Sequence, residues 1–562
     1  TITNSEIDST GAAGIGINVN GGANHVIGTT GNPNTLTDLA SGVTIENATV
    51  DASTVTVAFN KISSNTNAIT NSDGAILTAE KNWWGSNAEP TVNDHAKINY
   101  GQWCIDNTCA TFNYDIINNT QTKYYGKSQF ARALSEAATD NTVTFDNHTS
   151  AMTQVQAGLN NITINGSDNT TFDQAFTVND QIIIDDFIFT NTVDVAAASV
   201  TLKGSTLSKT LTINANSATI GADGDRNTFN LAGGDIGITS DSGNTDNITG
   251  LNISYNDFAS SNAAAYTGID LGDDFASNAI TMTDNDMTTP ITVGIKLASG
   301  TATITKSNIT SAAGAGIGIQ LAGGTGHNIG TADTWANRNT LSNLAAAIQI
   351  DDGTVVASTV TVTFNDLSTG NTLEIDNNDA NAVLSAIKNY FSVITDPVAK
   401  VDNNTDYVNY SPWCSNNSCG AFTQDISNST QSLYYGASQF NRALSEANVS
   451  DTLTFDNAIT YASKDINKVL TLTGNNNATF DTALTISAAA ILDNVNINTD
   501  TTISAGATIK NSDISKTLSI QSNDVKIGTA GNGNTFTLAD TDTGITSPNS
   551  AGAYSGLSII GN

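Results

Sequence analysis

Basic residues are scarce in this sequence. It has only 20 Lys and Arg against 53 Asp and Glu among its 562 residues, which gives a formal net charge of −33 at pH 7 and a sequence pI near 4.1. Nucleic-acid phosphates are bound by clustered Lys and Arg, so this charge argues against a nucleic acid as partner. The acidity is explained by the solubility of a large exposed surface, and the alternative is that divalent cations bridge acidic surfaces.

Long apolar segments are also missing. No run of about 20 apolar residues is present, so we expect no membrane span. No charged segment followed by an apolar segment opens the chain, and residue 1 falls in the middle of a repeat. We therefore expect a mature or partial chain.

Aromatic and charged residues make up only 6% and 13% of the sequence. Such a polar chain could be disordered, but disordered chains lack recurring alternation of β-branched residues. Here the alternation recurs, as in STVTVAFN from Ser53, where we expect Val55, Val57 and Phe59 to face inward. The sequence therefore predicts an all-β protein.

The segment from Trp103 to Asn147 occurs twice. Its second copy begins at Trp413, and Cys104 returns as Cys414, 310 residues later. A shared period of this kind indicates a repeat architecture. The expected stretches are the C-terminal part of one module at residues 1–112, a complete module at residues 113–422, and the N-terminal part of the next module at residues 423–562.

The middle of the repeated segment predicts an amphipathic helix. Phe130 and Leu134 are spaced to share one helical face, Ser128 is a candidate N-cap, and an alternating strand, TVTFDN, follows. A helix that buries one face and then leads into strands is what caps an open stack of strands. We therefore expect short cap helices at about residues 127–138 and 437–448.

A shorter unit recurs inside the modules. It begins with Ile-Gly and reaches Asn-Thr several residues later, as in Ile27-Gly28 with Asn34-Thr35. We interpret it as an Ile entering a core, a Gly turn, a polar loop and an apolar residue returning inward. Stacked units of this kind predict a solenoid, in which each turn is buried only against its neighbours. The other occurrences are Ile220-Gly221 with Asn227-Thr228, Ile329-Gly330 with Asn339-Thr340, and Ile527-Gly528 with Asn534-Thr535.

These motifs resemble right-handed parallel β-helix proteins of the pectin-lyase-like superfamily, in particular its repetitive surface proteins. That family shows the IG…NT turn, a KNWWG segment leading to a Pro, and a YSPW segment near the end of a helix unit. Here the last two are Lys81 to Gly85 with Pro90, and Tyr410 to Trp413. The other copies, KNYFS from Lys388 and YGQW from Tyr100, keep the aromatic bulk, which suits packing better than catalysis. The resemblance implies tandem right-handed parallel β-helix (solenoid) modules with short amphipathic cap helices at the junctions, and hence a rod.

The resemblance also bears on enzymatic chemistry. Lyases of this superfamily generally use a cationic side chain, often Arg, as the base near carboxylates that hold calcium. The chain has four Arg: Arg132 and Arg442 lie on the predicted cap helices, and Arg226 and Arg338 lie in IG…NT turns. Since none is a singular, well-placed base, we predict that the chain is not an enzyme, and a polysaccharide lyase or hydrolase is the less favoured alternative.

Paired carboxylates are candidate calcium ligands, because this hard cation binds several oxygens. Asp is also a common turn residue, and we favour that explanation. We therefore expect no cofactor and no metal site. The alternative is calcium at Asp223, Asp225, Asp351 and Asp352.

The only four cysteines form two close pairs, Cys104 with Cys109 and Cys414 with Cys419. Each pair could be a local disulfide or half of a zinc site. Zinc needs two further ligands nearby; His95 is close in the first copy, but the second copy has no His at that position. We therefore favour disulfides, which indicate an oxidising, extracellular location.

Adjacent aromatic residues near the junctions have two interpretations. They could stack on sugar rings, or they could fill the end of the core where coil gives way to cap. We favour filling of the core and keep glycan contact as a hypothesis. The pairs are Trp83 with Trp84, Tyr124 with Tyr125, and Tyr434 with Tyr435.

The function expected from these features is structural. Tandem copies without a unique constellation of side chains favour a rod-like module of an extracellular fibre, sheath or surface layer. Its partner is then the protein itself, as a head-to-tail polymer or as neighbouring modules of a longer chain. An adhesin or glycan-binding stalk, with surface glycans as partners, is the alternative, and both place the protein outside the cell or at its surface.

Overall fold

The structure of the chain is a computed structural model. It describes residues 1–46, 49–146, 149–150, 154–155, 161–240, 248–272, 275, 279–312, 314–331, 334–351, 355–379, 382–393, 395–401, 407–475, 478–547 and 554–562, with the backbone alone at 149–150, 154–155, 168–169 and 279. Within these ranges strands predominate, and the two α-helices are short. The predicted all-β class is confirmed.

The chain forms two compact units, Thr1–Pro290 and Ile291–Asn562. Each unit contains one copy of the repeated segment that surrounds a cysteine pair. The two copies can therefore be compared residue by residue, each in its own unit.

In the first unit, residues 1–99 form small sheets in which each strand pairs in parallel with the next pass of the chain. The inward residues stack from strand to strand, as buried Ile27 does on Val57. The first sheet contains Glu6–Asp8, Thr35–Thr37 and Lys61–Ser63. The second contains Val26–Ile27, Thr56–Val57, Leu77–Thr78 and Ile98–Asn99. The third contains Ile15–Val19, Ser41–Ile45 and Asn67–Asn71.

Two antiparallel ribbons then precede a second set of parallel strands in this unit. The ribbons are Trp103–Cys104 with Phe112–Asn113, and Ile116–Asn118 with both Lys123–Tyr125 and Thr142–Phe145. One parallel series runs through Thr142–Phe145, Thr149–Ser150, Ile162–Phe172, Ile182–Phe189, Thr201–Lys203, Thr206–Leu207, Thr219–Ile220, Asn227–Leu231, Asn252–Ser260 and Ala279–Met287. The other runs through Gln154–Val155, Phe176–Val178, Val193–Val195, Leu211–Ile213, Ile236–Ser240 and Tyr266–Leu271.

The second unit repeats this order. One parallel series contains Thr301–Thr305, Asn308–Thr310, Asn328–Gly330, Thr340–Ser342, Thr361–Thr363, Leu384–Ser385 and Val408–Asn409, and another contains Ile291–Leu297, Ile317–Leu321, Ala346–Ile350 and Leu373–Asn377. The antiparallel ribbons are Trp413–Cys414 with Phe422–Thr423, and Ile426–Asn428 with both Leu433–Tyr435 and Thr452–Phe455.

After the ribbons of the second unit, the described strands form three parallel series. The first contains Thr452–Phe455, Thr471–Thr473, Ile491–Asp493, Thr508–Lys510, Lys526–Ile527 and Ser558–Ile559. The second contains Ile459–Tyr461, Ala478–Phe480, Asn496–Ile497, Asp513–Ile514 and Thr535–Phe536. The third contains Lys464–Ile466, Leu484–Ile486, Thr501–Ile503, Leu518–Ile520 and Ile545–Thr546.

Alternation of apolar and polar residues explains these strands. Leu453, Leu472, Leu492, Ile509 and Ile527 are partners on successive strands, and each is fully buried. Their flanking Thr, Asp and Lys residues point outward, because side chains alternate between the two faces of a strand. Burying each aliphatic side chain stabilises the fold by roughly 1.5–3 kcal/mol.

Buried asparagines form ladders beside these aliphatic stacks. In the first unit Asn34 Nδ2 donates to Asn60 Oδ1 at 2.8 Å, and Asn60 Nδ2 donates to Asn82 Oδ1 at 3.0 Å. Burial of a polar group is costly unless it is hydrogen-bonded, and the ladder satisfies each amide through its neighbour. The equivalent ladders are Asn227, Asn256 and Asn285 in the first unit, and Asn339, Asn365 and Asn389 in the second.

The Ile-Gly-to-Asn unit is therefore only partly as predicted. Ile27 is buried and Gly28 has a positive φ of 79°, as a Gly turn requires. A Cβ on Gly28 would meet the carbonyl oxygen of Ala58 and the side chain of Asn60, so the position admits no larger residue. The Asn of the unit, expected in a polar loop, lies instead in the core, as fully buried Asn34 shows.

The prediction that Phe59 faces inward with Val55 and Val57 is wrong. Both Val residues are buried, but Phe59 is only partly buried. Its φ of 57° is left-handed, and this bend ends the strand alternation and turns Asn60 inward. Phe59 packs instead against Phe112, with ring centroids 6.5 Å apart.

Helices are present at both predicted positions, and they are shorter than expected. A 3₁₀ turn, Lys127–Gln129, leads into α1, Phe130–Ser135. Ala437–Gln439 leads in the same way into α2, Phe440–Glu446. The remaining 3₁₀ turns of the described ranges are Ala52–Thr54, Trp335–Asn337, Ala357–Thr359 and Pro397–Lys400.

Ser128 is not the N-cap, contrary to expectation. Gly126 occupies that position before the 3₁₀ turn, and its backbone N–H donates to Oε1 of Gln129 at 3.1 Å. The Ser128 hydroxyl donates outward to Glu89 at 2.8 Å and so does not accept from the helix. The chain that enters each helix is thus held by a residue outside the helix.

Candidate functional site: the repeated junction

The cysteine pairs form the disulfides predicted from the sequence. Cys104 is bonded to Cys109 and Cys414 to Cys419, with Cα atoms 4.7 and 4.8 Å apart. His95, weighed above as a zinc ligand, instead forms a hydrogen bond through Nδ1 with the hydroxyl of Tyr100 at 2.6 Å. Each disulfide closes a short loop at the end of a strand series. The contacts around helix α1 and around helix α2 are called the first and the second junction below.

One carboxylate in each junction links the preceding strands to the cap helix. Glu89 accepts from the Tyr100 hydroxyl at 2.6 Å and from the Ser128 backbone N–H at 2.9 Å, across 39 residues of sequence. Burial raises the pKa of Tyr100 far above its ordinary value, and the negative charge of Glu89 raises it further. The phenol therefore remains a donor to Glu89 over the whole physiological pH range.

The second junction builds the same link with a shorter acid. Asp396 accepts from the Tyr410 hydroxyl at 2.7 Å and from the Ser438 backbone N–H at 2.8 Å. Burial and the charge of Asp396 likewise raise the pKa of Tyr410. The exchange of Glu for Asp preserves both hydrogen bonds.

A buried glutamine forms a further link in each junction. Gln129 is 1% exposed, and its Nε2 donates to the carbonyl of Ile98 at 2.5 Å and to that of His95 at 3.0 Å. Gln439 is fully buried and donates in the same way to the carbonyl of Val408 at 2.6 Å. The glutamine side chain thereby joins the end of a strand to the start of the helix. It also pairs backbone carbonyl groups that would otherwise have no partner in the core.

A cluster of aromatic rings packs beneath each helix. Phe130 of α1 lies 4.8 Å from Phe145, centroid to centroid, and Phe440 of α2 lies 4.6 Å from Tyr461 and 5.5 Å from Phe455. Such rings bury large apolar areas in a short segment, so they anchor each helix on the strands beside it.

The structure places the adjacent aromatic pairs at the junctions with unequal exposure. Trp84, Tyr125 and Tyr435 are buried at 8%, 1% and 1% exposure, and the two tyrosine hydroxyls donate to Glu136 and Glu446. The partly or largely exposed members are Trp83, Tyr124 and, at 38% exposure, Tyr434.

The described calcium candidates have other surroundings than a cluster of carboxylates. Asp225 pairs with Lys203 at 2.7 Å, and exposed Asp223 lies in the same turn. Asp351, in the other unit, accepts from Gln320 at 2.9 Å, and burial raises the pKa of its carboxyl group. Asp352 lies outside the described residues. Within the described ranges, no three His, Cys, Asp or Glu side chains are grouped to hold a metal ion.

The arginines of the IG…NT turns take part in surface contacts. Arg226 Nη1 donates to Asp284 at 2.8 Å and Nη2 to Asp286 at 3.1 Å, while Nε donates to Asp257 at 2.8 Å. Arg338 packs over the ring of Trp335, with its guanidinium carbon 4.9 Å from the centroid.

A groove with both polar and apolar walls lies beside the first junction. Its volume is about 690 Å³, and it is bounded by the strands Leu77–Thr78 and Ile98–Asn99, the ribbon strand Lys123–Tyr125 and helix α1. Arg132 of α1 lines it and donates through Nε to Glu136 at 2.6 Å, and Lys123 pairs with the same carboxylate at 3.2 Å. Sequence analysis missed this groove because its walls are far apart in the sequence.

These observations define a disulfide-bearing, strand-rich protein in which one set of contacts around a short helix occurs twice. Comparisons of the chain with models of protein families, with curated proteins and with solved structures find no match. No helix in the described part of the chain has the length and apolar composition to cross a membrane.

Proposed function

We propose that the chain is a structural extracellular protein, a rod-like segment of a surface fibre, sheath or surface layer whose modules associate end to end. In this proposal the modules are right-handed parallel β-helices at residues 1–112, 113–422 and 423–562. Each module after the first begins with a cap helix that docks on the module before it.

Parallel pairing of successive chain passes supports the solenoid. In the last strand series, Leu472 pairs with Leu492, and Leu492 pairs with Ile509, so each pass is buried against its neighbours. The asparagine ladders in both units add a second repeated contact between passes. A stack that buries its core only between neighbours can be extended by adding passes, which suits a long stiff element.

The observation that carries the structural role is the duplication of the junction contacts. Tyr, carboxylate, Ser and Gln make corresponding hydrogen bonds at Glu89 and at Asp396. A contact that joins one module to the next must be made at every boundary, whereas a catalytic centre is needed once. The two local disulfides support an oxidising location such as the cell surface or exterior.

Electron microscopy of the purified chain tests this function. We expect thin particles of uniform width that associate end to end into threads as the concentration rises. Imaging in the presence of a chelator is the control, because it separates end-to-end contacts from bridging of acidic surfaces by divalent cations. Compact particles at all concentrations would refute the proposal.

A further inference from the structure

His327 joins three successive passes of the chain in the second unit. Its side chain is fully buried, and its backbone carbonyl accepts from the N–H of Thr361 at 2.8 Å. On the other side, ring Nδ1 accepts from the N–H of Ala302 at 3.2 Å. This one residue therefore connects the strands Thr301–Thr305 and Thr361–Thr363, which lie on either side of it.

The hydrogen bonds of the ring fix its protonation state. A backbone N–H can only donate, so Nδ1 carries no proton when it pairs with Ala302. Nε2 therefore bears the proton of the neutral ring, and it donates to the carbonyl of Gly323 at 3.0 Å. A doubly protonated imidazole has two donors and no acceptor, so it cannot keep the bond with Ala302.

The backbone around the ring leaves no room for it to turn away. A Cβ on Gly324 would meet the carbonyl oxygen of Gly300 and would lie 2.7 Å from Nε2 of His327. The N–H of Thr325 donates to the same Gly300 carbonyl at 3.1 Å, which holds the turn against the preceding pass. A movement that frees Nδ1 from Ala302 therefore requires the two passes to separate.

No neighbouring charge favours protonation of this ring. Burial lowers the pKa of His327 and outweighs the hydrogen bond with the Gly323 carbonyl, which raises it. In the unfolded chain a histidine has a pKa of about 6.5, so the folded chain binds the second proton more weakly. The described elements that hold the ring contain no other titratable side chain; they are Thr301–Thr305, Asn328–Gly330, Thr361–Thr363 and the turn at residues 322–326.

We propose that His327 is an acid-sensitive contact in the strand stack: when its ring takes up a second proton at Nδ1, the bond to Ala302 breaks and the passes at residues 297–305 and 323–330 separate. The bond is fully present above a pH of about 6.5. Its contribution to stability is lost as the pH falls below that value, because the opened state then binds the additional proton. This response is separate from the proposed structural role.

His25 provides an internal comparison. It occupies the same position in the first copy, where GGANHVIG corresponds to GGTGHNIG. Its Nε2 bonds to the carbonyl of Gly21 at 2.8 Å, and its own carbonyl accepts from the N–H of Thr56 at 2.9 Å. The ring is only partly buried, and its Nδ1 has no hydrogen-bond partner among the described residues. It can therefore take up a proton at Nδ1 without breaking a bond.

Hydrogen exchange of the full chain at pH 7 and pH 5, corrected for intrinsic rates, tests the proposal. Protection of the Ala302 amide should fall at pH 5 by up to about thirtyfold, the limit set by an unfolded-state pKa of about 6.5. His327→Asn keeps an acceptor oxygen at the δ position and does not titrate, so it should abolish this fall. Burial raises the pKa of Glu374, in the same unit, to about 7. Because Glu374 is present in both proteins, the ratio of wild-type to variant protection isolates His327.

His25→Asn is the matched control and should leave the exchange of Ala302 unchanged at both pH values. NMR titration of the imidazole nitrogens tests wild type directly, and it decides the question if His327→Asn does not fold: His327 should take up its second proton only as Ala302 loses protection. The proposal is overturned if Ala302 keeps its protection at pH 5, if His327 becomes doubly protonated while Ala302 stays protected, or if wild type and His327→Asn lose protection equally. None of these outcomes bears on whether the chain forms threads.

Discussion

At the residue scale, Asn365 shows how one buried amide joins three passes of the chain. Its Oδ1 accepts from Asn339 Nδ2 at 2.9 Å, and its Nδ2 donates to Asn389 Oδ1 at 2.9 Å and to the carbonyl of Ile329 at 3.0 Å. The ladder is thus a continuous chain of amides, in which each member satisfies the next.

Replacing Asn365 by Ala should destabilise the second unit substantially. The change removes the side-chain acceptor of Asn339 Nδ2 and the side-chain donors to Asn389 Oδ1 and the Ile329 carbonyl, at a cost of roughly 1–3 kcal/mol for each buried group left unsatisfied. Hydrogen exchange of the neighbouring strand Thr361–Thr363 should accelerate, and the melting temperature should fall. Asn378→Ala, at an exposed Asn of the same unit, is the control and should change neither. Equal effects of the two substitutions would contradict the ladder's role.

Buried Glu374 makes local stability depend on pH. It is fully buried, and its carboxylate accepts from the Ser392 backbone N–H at 3.1 Å. Burial raises its pKa from 4.5 to about 7, although the hydrogen bonds with Ser392 lower it. In the unfolded chain the group ionises at its ordinary pKa, so between these values the unfolded state binds fewer protons than the folded state. The folded state therefore loses stability as pH rises from 4.5 to about 7.

We expect this loss to reach about 3 kcal/mol and to be absent in Glu374→Gln. Protection factors of the amides in Leu373–Asn377, compared at pH 5 and pH 8, measure it. Glu6→Gln, at an exposed Glu, is the control and should keep the wild-type dependence. An unchanged pH dependence in Glu374→Gln would show that this carboxyl group is not its source.

The sequence predicted that residues along a strand alternate between the core and the surface, but it did not predict where this alternation is interrupted. Alternation identified Val55 and Val57 as inward residues, and it continued through Phe59, where the backbone enters a left-handed conformation and reverses the phase. A period of two cannot reveal such a bend. One sequence signal did point to a special role for this position: Asn60 has an Asn, Asn365, at the equivalent position of the other copy.

At the scale of elements, the helices were predictable and their attachment was not. Phe130 and Leu134 are both buried, as the helical spacing indicated. The residue that receives the helix, Glu89, lies 39 positions before Ser128, and no local pattern relates the two. Contacts of this kind depend on how the chain passes stack, which a local pattern does not specify.

Substitution of Glu89 should loosen α1 without unfolding the strands. Glu89→Ala removes the acceptor of the Ser128 N–H and hydroxyl, and the Tyr100 hydroxyl keeps only His95. We expect a local cost of roughly 1–3 kcal/mol, seen as faster exchange of the amides in Phe130–Ser135. Glu89→Gln retains an acceptor oxygen and should have a smaller effect.

Glu6→Ala, at an exposed Glu of the same unit, is the matched control for helix exchange. Because Asp396 makes the equivalent bonds in the second unit, Asp396→Ala should accelerate exchange of Phe440–Glu446 in the same way. If helix exchange is the same in wild type and both variants, the two carboxylates are not what fastens the helices.

At the scale of the whole molecule, the proposed modules should be removable as units. Deleting residues 113–422 joins Phe112 to Thr423, which restores the natural sequence pair Phe422-Thr423. Glu89 and the carbonyl of Ile98 would then face Ser438 and Gln439, which make the corresponding contacts in the second junction. In an array stabilised by contacts between nearest neighbours, deletion of one complete repeat leaves the remaining repeats with the same kinds of neighbours as before.

We therefore expect this deletion variant to fold, with its strand signal in circular dichroism and the exchange protection of α2 preserved. The control deletion, residues 113–400, is not a whole period: it places a second copy of the disulfide segment directly after the first and leaves the ends of the strand series unmatched. That variant should expose apolar surface and bind a hydrophobic dye, because its passes no longer meet the neighbours against which their cores are buried. If the two variants fold equally well, or if the whole-period deletion fails to fold, the period of the sequence is not the unit from which the molecule is built.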